Sequence, residues 1–298
     1  MKRILILFIL LGLLVSCTVK APTPAPAPTP QEPVEEKPNE PINASHQESL
    51  RRFAQMSASA FFEDNGENHN YSPLSLNIAL SMLVQGSEGE TREDILRTMG
   101  FEGIDVNEVT SLMKSQIAKL SQESEEGTVL LANALFSEEG FPLKESFIEK
   151  LKNDFGALAE SVKLTDKSGV ARINNFIAER TANRIKDAYQ ADPESGDVLL
   201  LINTLYAKLP WTSPFSEQFT EPSAFHAPTG DVTTPFMKTQ MFSSYVEKDS
   251  FRAASLNLGR NYRMTFFLPN EGVTPGDLLK EEGLLEKANE DIRSAELR

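Results

Sequence analysis

Residues 198–211 read VLLLINTLYAKLPW, and residues 128–137 read TVLLANALFS. Both runs are apolar at successive positions rather than at alternate ones, which is the pattern of a strand buried on both faces. Such a strand must be covered above and below and have neighbours at both edges. The two runs therefore commit the chain to a layered domain built on a large central sheet. Each run also carries an asparagine at its centre, Asn133 in one and Asn203 in the other. A buried primary amide costs about 1–3 kcal/mol unless its donors and acceptors are answered, so Asn203 requires a polar partner opposite it.

The elements around these strands follow from spacing. Leu50, Phe53, Ala54, Ser57, Ala58 and Phe61 recur at helical intervals and predict an amphipathic helix. Ser72-Pro73 reads as an N-cap followed by proline at the first helical position, opening a second helix through Leu76, Ala79, Leu80 and Leu83. Thr91 with Asp94 predicts the capping box of a third helix, which Gly100 closes. After the first buried strand come a helix over 142–154, a short strand over 158–164 and a long helix over 170–187. Beyond Trp211 the pattern is hairpins: 225–227 with 232–237 about Pro228-Thr229-Gly230, then 251–258 with 262–268 about Gly259-Arg260-Asn261. A last helical stretch begins near Pro275. Helices and strands in this order give an α+β fold.

The amino terminus, MKRILILFILLGLLVSC, has a basic start, a 12-residue apolar core from Ile4 to Val15 and a small residue before cysteine. It reads as a signal peptide over residues 1–16. Leu14-Val15-Ser16-Cys17 resembles the lipobox of bacterial lipoproteins, which implies cleavage before Cys17 and acylation of its thiol. A short membrane anchor, or an ordinary signal with a chance cysteine, is the other reading, but the apolar core is shorter than the roughly 20 residues a spanning helix needs. Cys17 is the only cysteine, so no disulfide and no thiolate metal site is available to the folded part. Thr18, where an aspartate would favour inner-membrane retention, implies sorting to the outer membrane or cell surface.

From Ala21 to Pro41 the sequence holds eight of the 18 prolines and no apolar periodicity, so it packs no core. As polyproline II it would reach about 65 Å. The chain thus divides into a signal at 1–16, a lipidated cysteine with a proline-rich linker at 17–45, and a folded domain from 46 to 298.

Loss of Lys2 and Arg3 with the signal moves the net charge from −14 to −16. That surface repels nucleic acid and anionic lipid, leaving membrane contact to the lipid alone. No G-x-S-x-G, H-E-x-x-H, G-x-x-x-x-G-K-[ST] or G-x-G-x-x-G motif occurs. His46, His69 and His226 fall in a linker edge, a polar loop and a hairpin, none beside an acidic cluster. The expectation is a protein that is not an enzyme and takes no cofactor or metal.

Positive resemblance lies elsewhere. Asn70-Tyr71-Ser72-Pro73-Leu74-Ser75, then Ala79-Leu80-Ser81-Met82 and Gly86-Ser87-Glu88-Gly89-Glu90-Thr91, resemble the second-helix signature of serpins, the serine protease inhibitor superfamily. Agreement continues through Ala132-Asn133-Ala134-Leu135-Phe136, Ile173-Asn174-Asn175-Phe176-Ile177 and Asn203-Thr204-Leu205-Tyr206-Ala207-Lys208. It extends to Trp211-Thr212-Ser213-Pro214-Phe215, Pro235-Phe236-Met237 and Phe266-Phe267-Leu268-Pro269.

The resemblance implies the serpin fold: a helical N-terminal part, a large central sheet A, and sheets B and C. Residues 198–208 then correspond to the third strand of sheet A and 128–137 to its second, with the helix that opens at Ser72 beneath them. Ser72, Ser75, Asn133 and Asn203 fall in the family's shutter, where the sheet parts, and Trp211 in its breach. The plainer readings are a static, satisfied core amide at Asn203 and simple core packing at Trp211. Leu209-Pro210 and Ala207 depart from the family's pattern beside the breach.

Serpins trap a target protease through a reactive loop that is cleaved and inserted into sheet A. Here Ser294-Ala295-Glu296-Leu297-Arg298 resembles the start of the sixth strand of that sheet, so the hinge, the reactive loop, strand 5 and the last strands of sheets B and C are expected beyond Arg298. The P1 residue is therefore unknown, and the expectation is an incomplete serpin domain whose complete form inhibits an extracellular serine or cysteine protease. A non-inhibitory binding or scaffold lipoprotein, or an inactive truncated product, is the alternative; a hydrolase is a distant third.

Overall fold

The computed structural model describes residues 44–62, 68–124, 127–227, 229–239 and 244–285. The signal, Cys17, the linker up to residue 43, Pro228 and the terminal segment 294–298 lie outside the described residues.

Four helices come first: α1 (Ala44–Phe61), α2 (Pro73–Gln85), α3 (Gly89–Thr98) and α4 (Val106–Leu120). Ser72 caps α2 as its residue type dictates, its Oγ accepting from the Ser75 N–H at 3.2 Å with Pro73 in the first turn. The third helix corrects the capping-box reading. It starts at Gly89 after Glu88, Thr91 lies inside it, and the Asp94 carboxylate accepts from Arg97 at 2.6 Å instead of capping. Helix α4 has no counterpart in the sequence reading, although its signals are present: Asp105 caps the Asn107 N–H at 2.7 Å, and Val109, Leu112, Met113 and Ile117 are buried along one face.

The sheet elements follow: β1 (Gln122–Ser124), β2 (Gly127–Glu138), α5 (Glu145–Phe155), β3 (Leu158–Val162), α6 (Lys167–Arg180) and β4 (Leu199–Lys208). Strand β2 is the spine. It pairs antiparallel with β4 along its length, antiparallel with β1 at its start and parallel with β3 at its end. Alternation sorts its side chains onto two covered faces. Leu131 and Leu135 join the core of α1 to α5, together with Ile78, Met82, Phe101, Met113 and Leu151. Ala132, Ala134 and Phe136 join Ile173, Phe176 and Ile177 of α6 on the opposite face.

Helix α6 ends at Arg180, short of the expected 187. Ala182 and Asn183 have φ of 49° and 58°, and two consecutive left-handed residues break the helical path. At its other end, a Cβ on Gly169 would stand 1.9 Å from the Lys163 carbonyl oxygen, so only glycine lets α6 approach the turn after β3 this closely.

For β2 the expectation of a strand covered on both faces and both edges holds. For β4 it does not. Among the described residues β4 has a ladder only with β2, most of it is half-buried, and Leu205 is 39% exposed. Its apolar run matches a two-sided environment of which one lateral side is open among the described residues.

Two smaller sheets complete the fold. β5 (Glu221–Ala227) and β6 (Gly230–Phe236) form an exposed hairpin. β7 (Ser244–Glu247), β8 (Phe251–Leu258) and β9 (Tyr262–Pro269) form an antiparallel sheet. Residues Val246, Phe251 and Ala253 of that sheet pack with Leu278 and Leu284, around α7 (Pro275–Lys280). Both hairpins were legible from their turn residues; β7 was not.

Candidate functional site

The answer to the amide of Asn203 is the other asparagine. Strand register sets Asn133 and Asn203 directly opposite each other, and Asn203 Nδ2 donates to Asn133 Oδ1 at 2.7 Å. Asn133, fully buried, donates in turn from Nδ2 to the Phe155 carbonyl at 2.7 Å. That carbonyl belongs to the last turn of α5, which Gly156 terminates in the left-handed region at φ 59°. A relay of two amides therefore ties β4 to β2 and β2 to the end of α5. The relay is incomplete: Asn203 Oδ1 is buried and has no hydrogen-bond partner among the described residues.

Both asparagines lie in register with Leu131 and Leu135 and so face the helical layer, where α2 packs against β4. Ser72 and Ser75 stand at the start of α2, and Ser75 Oγ donates to Ser72 Oγ at 2.9 Å. Among the described residues neither serine hydrogen-bonds Asn203. Of the four residues expected to gather here, the structure joins Asn133 to Asn203 and Ser72 to Ser75, as two separate pairs.

Deeper in α2, Asn77 and Ser81 are buried, and both amide atoms of Asn77 and the Oγ of Ser81 lack partners among the described residues. One turn on, Gln85 Nε2 donates to the Ser81 carbonyl and to Thr110 Oγ1, both at 3.0 Å. The i, i+4 spacing of these three polar residues within an apolar helix is the signal in the sequence that places them on one face.

Trp211 lies where the chain leaves β4 for the smaller sheets. It forms a β-bridge with Leu258, meets Phe215 edge to face at 5.6 Å and stacks near Phe266 at 6.5 Å. Flanking hydrogen bonds stitch this segment to the β8–β9 turn: Gly259 N–H to the Pro210 carbonyl at 2.9 Å, and Thr212 N–H to the Asn257 carbonyl at 3.0 Å. Leu209 and Pro210 come so close to Gly127 that a Cβ there would meet Leu209 at 2.7 Å.

The titratable groups add little at this seam. Burial, with the Asp197 and Glu138 carboxylates nearby, pushes the Tyr189 phenol above its ordinary range, and burial does the same to Tyr262. Among the described residues no group of three His, Cys, Asp or Glu side chains could hold a metal ion, and no helix is long and apolar enough to cross a membrane. What the relay can do chemically is exchange hydrogen bonds as a strand moves.

Residues 48–296 match the family model described as Serpin (serine protease inhibitor). Mouse neuroserpin is 32% identical over 212 residues, which cover 70% of this chain and 51% of that protein. The chain thus spans about half the length of the curated relatives it matches. Among solved structures, the thermophilic serpin tengpin in its latent state superposes with a TM-score of 0.75 at 22% identity, covering 84% of this chain and 68% of that one. Human thyroxine-binding globulin complexed with its hormone superposes with a TM-score of 0.74 at 22% identity, covering 84% and 69%.

Proposed function

The chain belongs to the serpin family of serine protease inhibitors, and on that premise we propose that the protein it forms traps an extracellular serine or cysteine protease from the surface of a cell envelope. The observation that carries this reading is the half-satisfied amide of Asn203. Among the described residues its donor is used by Asn133, its acceptor is buried and unanswered, and the second edge of its strand carries no ladder. An additional strand laid along that edge would complete the ladder and bring a donor within reach of Oδ1. In the complete protein the fifth strand of sheet A is expected at that edge, and a polar pair there that can exchange partners suits an inhibitor that inserts its own cleaved loop between the two strands after the protease has formed an acyl-enzyme with it.

The envelope location rests on the first 17 residues. Cleavage before Cys17 and acylation of its thiol with several chains, at about 0.8 kcal/mol per buried methylene, would give a lasting anchor. The proline-rich linker would then hold the domain off the membrane. In cells, Cys17→Ala moves the protein from the membrane fraction to the medium or periplasm if the anchor is lipid.

The test of inhibition is covalent trapping. The product of the gene encoding this chain, incubated with a panel of serine and cysteine proteases, yields an SDS-stable band of summed mass with at least one of them. Consistent cleavage without such a band favours the second reading, a non-inhibitory binding lipoprotein. That alternative draws support from the fold shared with thyroxine-binding globulin.

A further inference from the structure

Between α6 and β4 runs the connection 181–198, most of it exposed, and one residue holds its middle in place. Asn174, on the inner side of α6 and about nine-tenths buried, donates from Nδ2 to the Tyr189 carbonyl at 2.8 Å and accepts from the Tyr189 N–H at Oδ1 at 2.9 Å. A primary amide thus plays the part of a strand neighbour, satisfying both backbone groups of a residue that has no ladder of its own.

The rest of Tyr189 is used as well. Its ring packs into the core shared by α6, β2 and β4, and its hydroxyl donates to the Leu164 carbonyl at 3.3 Å, at the far end of α6. Thr181 fixes the near end of the connection, its Oγ accepting from the Ile185 N–H at 3.2 Å. On either side of Tyr189 the chain is exposed, and Ile185 is left 46% in solvent.

We propose that the two hydrogen bonds between Asn174 and Tyr189 form a latch that folds this connection back along α6 and so fixes the entry of β4 to the helix covering it. With the latch closed, Leu200 and Ile202 of β4 stay packed under Ile173, Phe176 and Ile177. With it open, the connection detaches as one unit, because Tyr189 is the residue of 182–197 that packs against the core of α6, β2 and β4. The first half of β4 then becomes free to shift on the sheet. The consequence for admission of a new strand beside β4 rests on the inhibitor reading above; the latch itself does not, and its test needs no protease.

The test is hydrogen–deuterium exchange on the full chain with Asn174→Ala, and with Asn174→Asp, which keeps the acceptor for the Tyr189 N–H and loses the donor. Ile173→Val, a small cavity in the same α6 core, serves as the control for general loosening. Local openings expose contiguous units, so loss of the latch should accelerate exchange over 183–203 by about tenfold or more while α2 to α4 keep their rates. Asn174→Asp should fall between wild type and Asn174→Ala, and it carries the test if the alanine variant does not fold. Tyr189→Phe, which removes only the contact to Leu164, should change the same amides by about twofold or less. The latch is overturned if Asn174→Ala and Ile173→Val give the same exchange pattern, or if residues 183–198 exchange as fast in the wild type as in the variant. Absence of any covalent protease complex would remove the inhibitor reading and leave this result standing.

Discussion

Asn203 Nδ2 and Asn133 Oδ1 are 2.7 Å apart across the antiparallel ladder of β2 and β4, from residues in direct register. The two ends of this bond are not equivalent. Asn133 also holds the Phe155 carbonyl, whereas Asn203 has a buried Oδ1 with no partner among the described residues.

That asymmetry predicts unequal losses. Asn133→Ala strips the partner from Asn203 Nδ2 and from the Phe155 carbonyl, and leaving such groups buried costs about 1–3 kcal/mol each. Asn203→Ala removes an acceptor that was already unanswered and takes one donor from Asn133, a loss of about 1 kcal/mol. Urea denaturation should therefore rank wild type above Asn203→Ala and Asn203→Ala above Asn133→Ala. The double variant should be less destabilised than the sum of the singles, since they share one bond. The reverse order would mean that Asn203, and not Asn133, is the hub of the relay.

Ser81 leads to a prediction of opposite sign. Its hydroxyl is buried on α2 with no partner among the described residues, so Ser81→Ala removes a desolvated group and gains helix propensity. The expected gain is about 1 kcal/mol, raising the thermal midpoint by about 2–4 °C for a domain of this size. A fall in the midpoint would show that the hydroxyl is hydrogen-bonded in solution, through ordered water. Thr110→Val should go the other way, because Thr110 Oγ1 accepts from Gln85 and donates to the Val106 carbonyl at 2.7 Å.

Much of this was legible in the sequence, for identifiable reasons. The two apolar runs announced adjacent central strands, and their matching asparagines are the pair that the register brings together. Ser72-Pro73 marked the start of α2, and glycine-bearing turns marked both hairpins. The serines stand at the start of α2, which packs against β4, and Ser75 Oγ donates to Ser72 Oγ and not to an asparagine of the strand. Periodicity says which residues share a helix face and not which polar atom a neighbouring strand presents. Helix α4 carries its signal in Asp105 and in the spacing of Val109, Leu112, Met113 and Ile117. The end of α6 is only weakly signalled: asparagine, as at Asn183, adopts left-handed backbone more readily than other non-glycine residues, but the alanine before it does not. The Tyr189 clamp depends on a return of the chain that local pattern does not encode.

Acid should loosen α7 through its capping box. Thr274 donates from both its N–H and its Oγ to Asp277 Oδ2, at 3.1 and 2.9 Å, and the Asp277 N–H donates back to Thr274 Oγ1 at 3.1 Å. The backbone bond first, the hydroxyl bond second and Lys280 last hold the Asp277 carboxyl below the ordinary aspartate range. A depressed carboxylate stabilises the fold fully above its unfolded value, about 3.9, and that contribution is lost as pH falls through the folded value. Carboxyl NMR should place the Asp277 midpoint below that of a free aspartate, and Asp277→Asn should flatten this part of the acid limb of stability. A midpoint at or above the free value would refute the cap's charged form.

The open edge of β4 makes the most demanding prediction. Leu199 to Lys208 presents an unpaired row of backbone donors and acceptors among the described residues, with Leu205 and the adjoining Val198 39% and 40% exposed. A long apolar edge with free hydrogen-bonding groups recruits another strand, and in a chain expressed on its own the most abundant strand is that of a second copy. Residues 46–298 produced alone should therefore sediment as concentration-dependent oligomers. Leu205→Lys places on that edge a charge that a neighbouring copy would have to desolvate, and should shift the distribution toward monomer. The substitution leaves the buried Asn133–Asn203 pair in place, two residues away on the same face of the strand. A wild-type 46–298 product that is monomeric across the concentration range and melts in one cooperative step would mean that the edge of β4 is already covered and not open to a second copy.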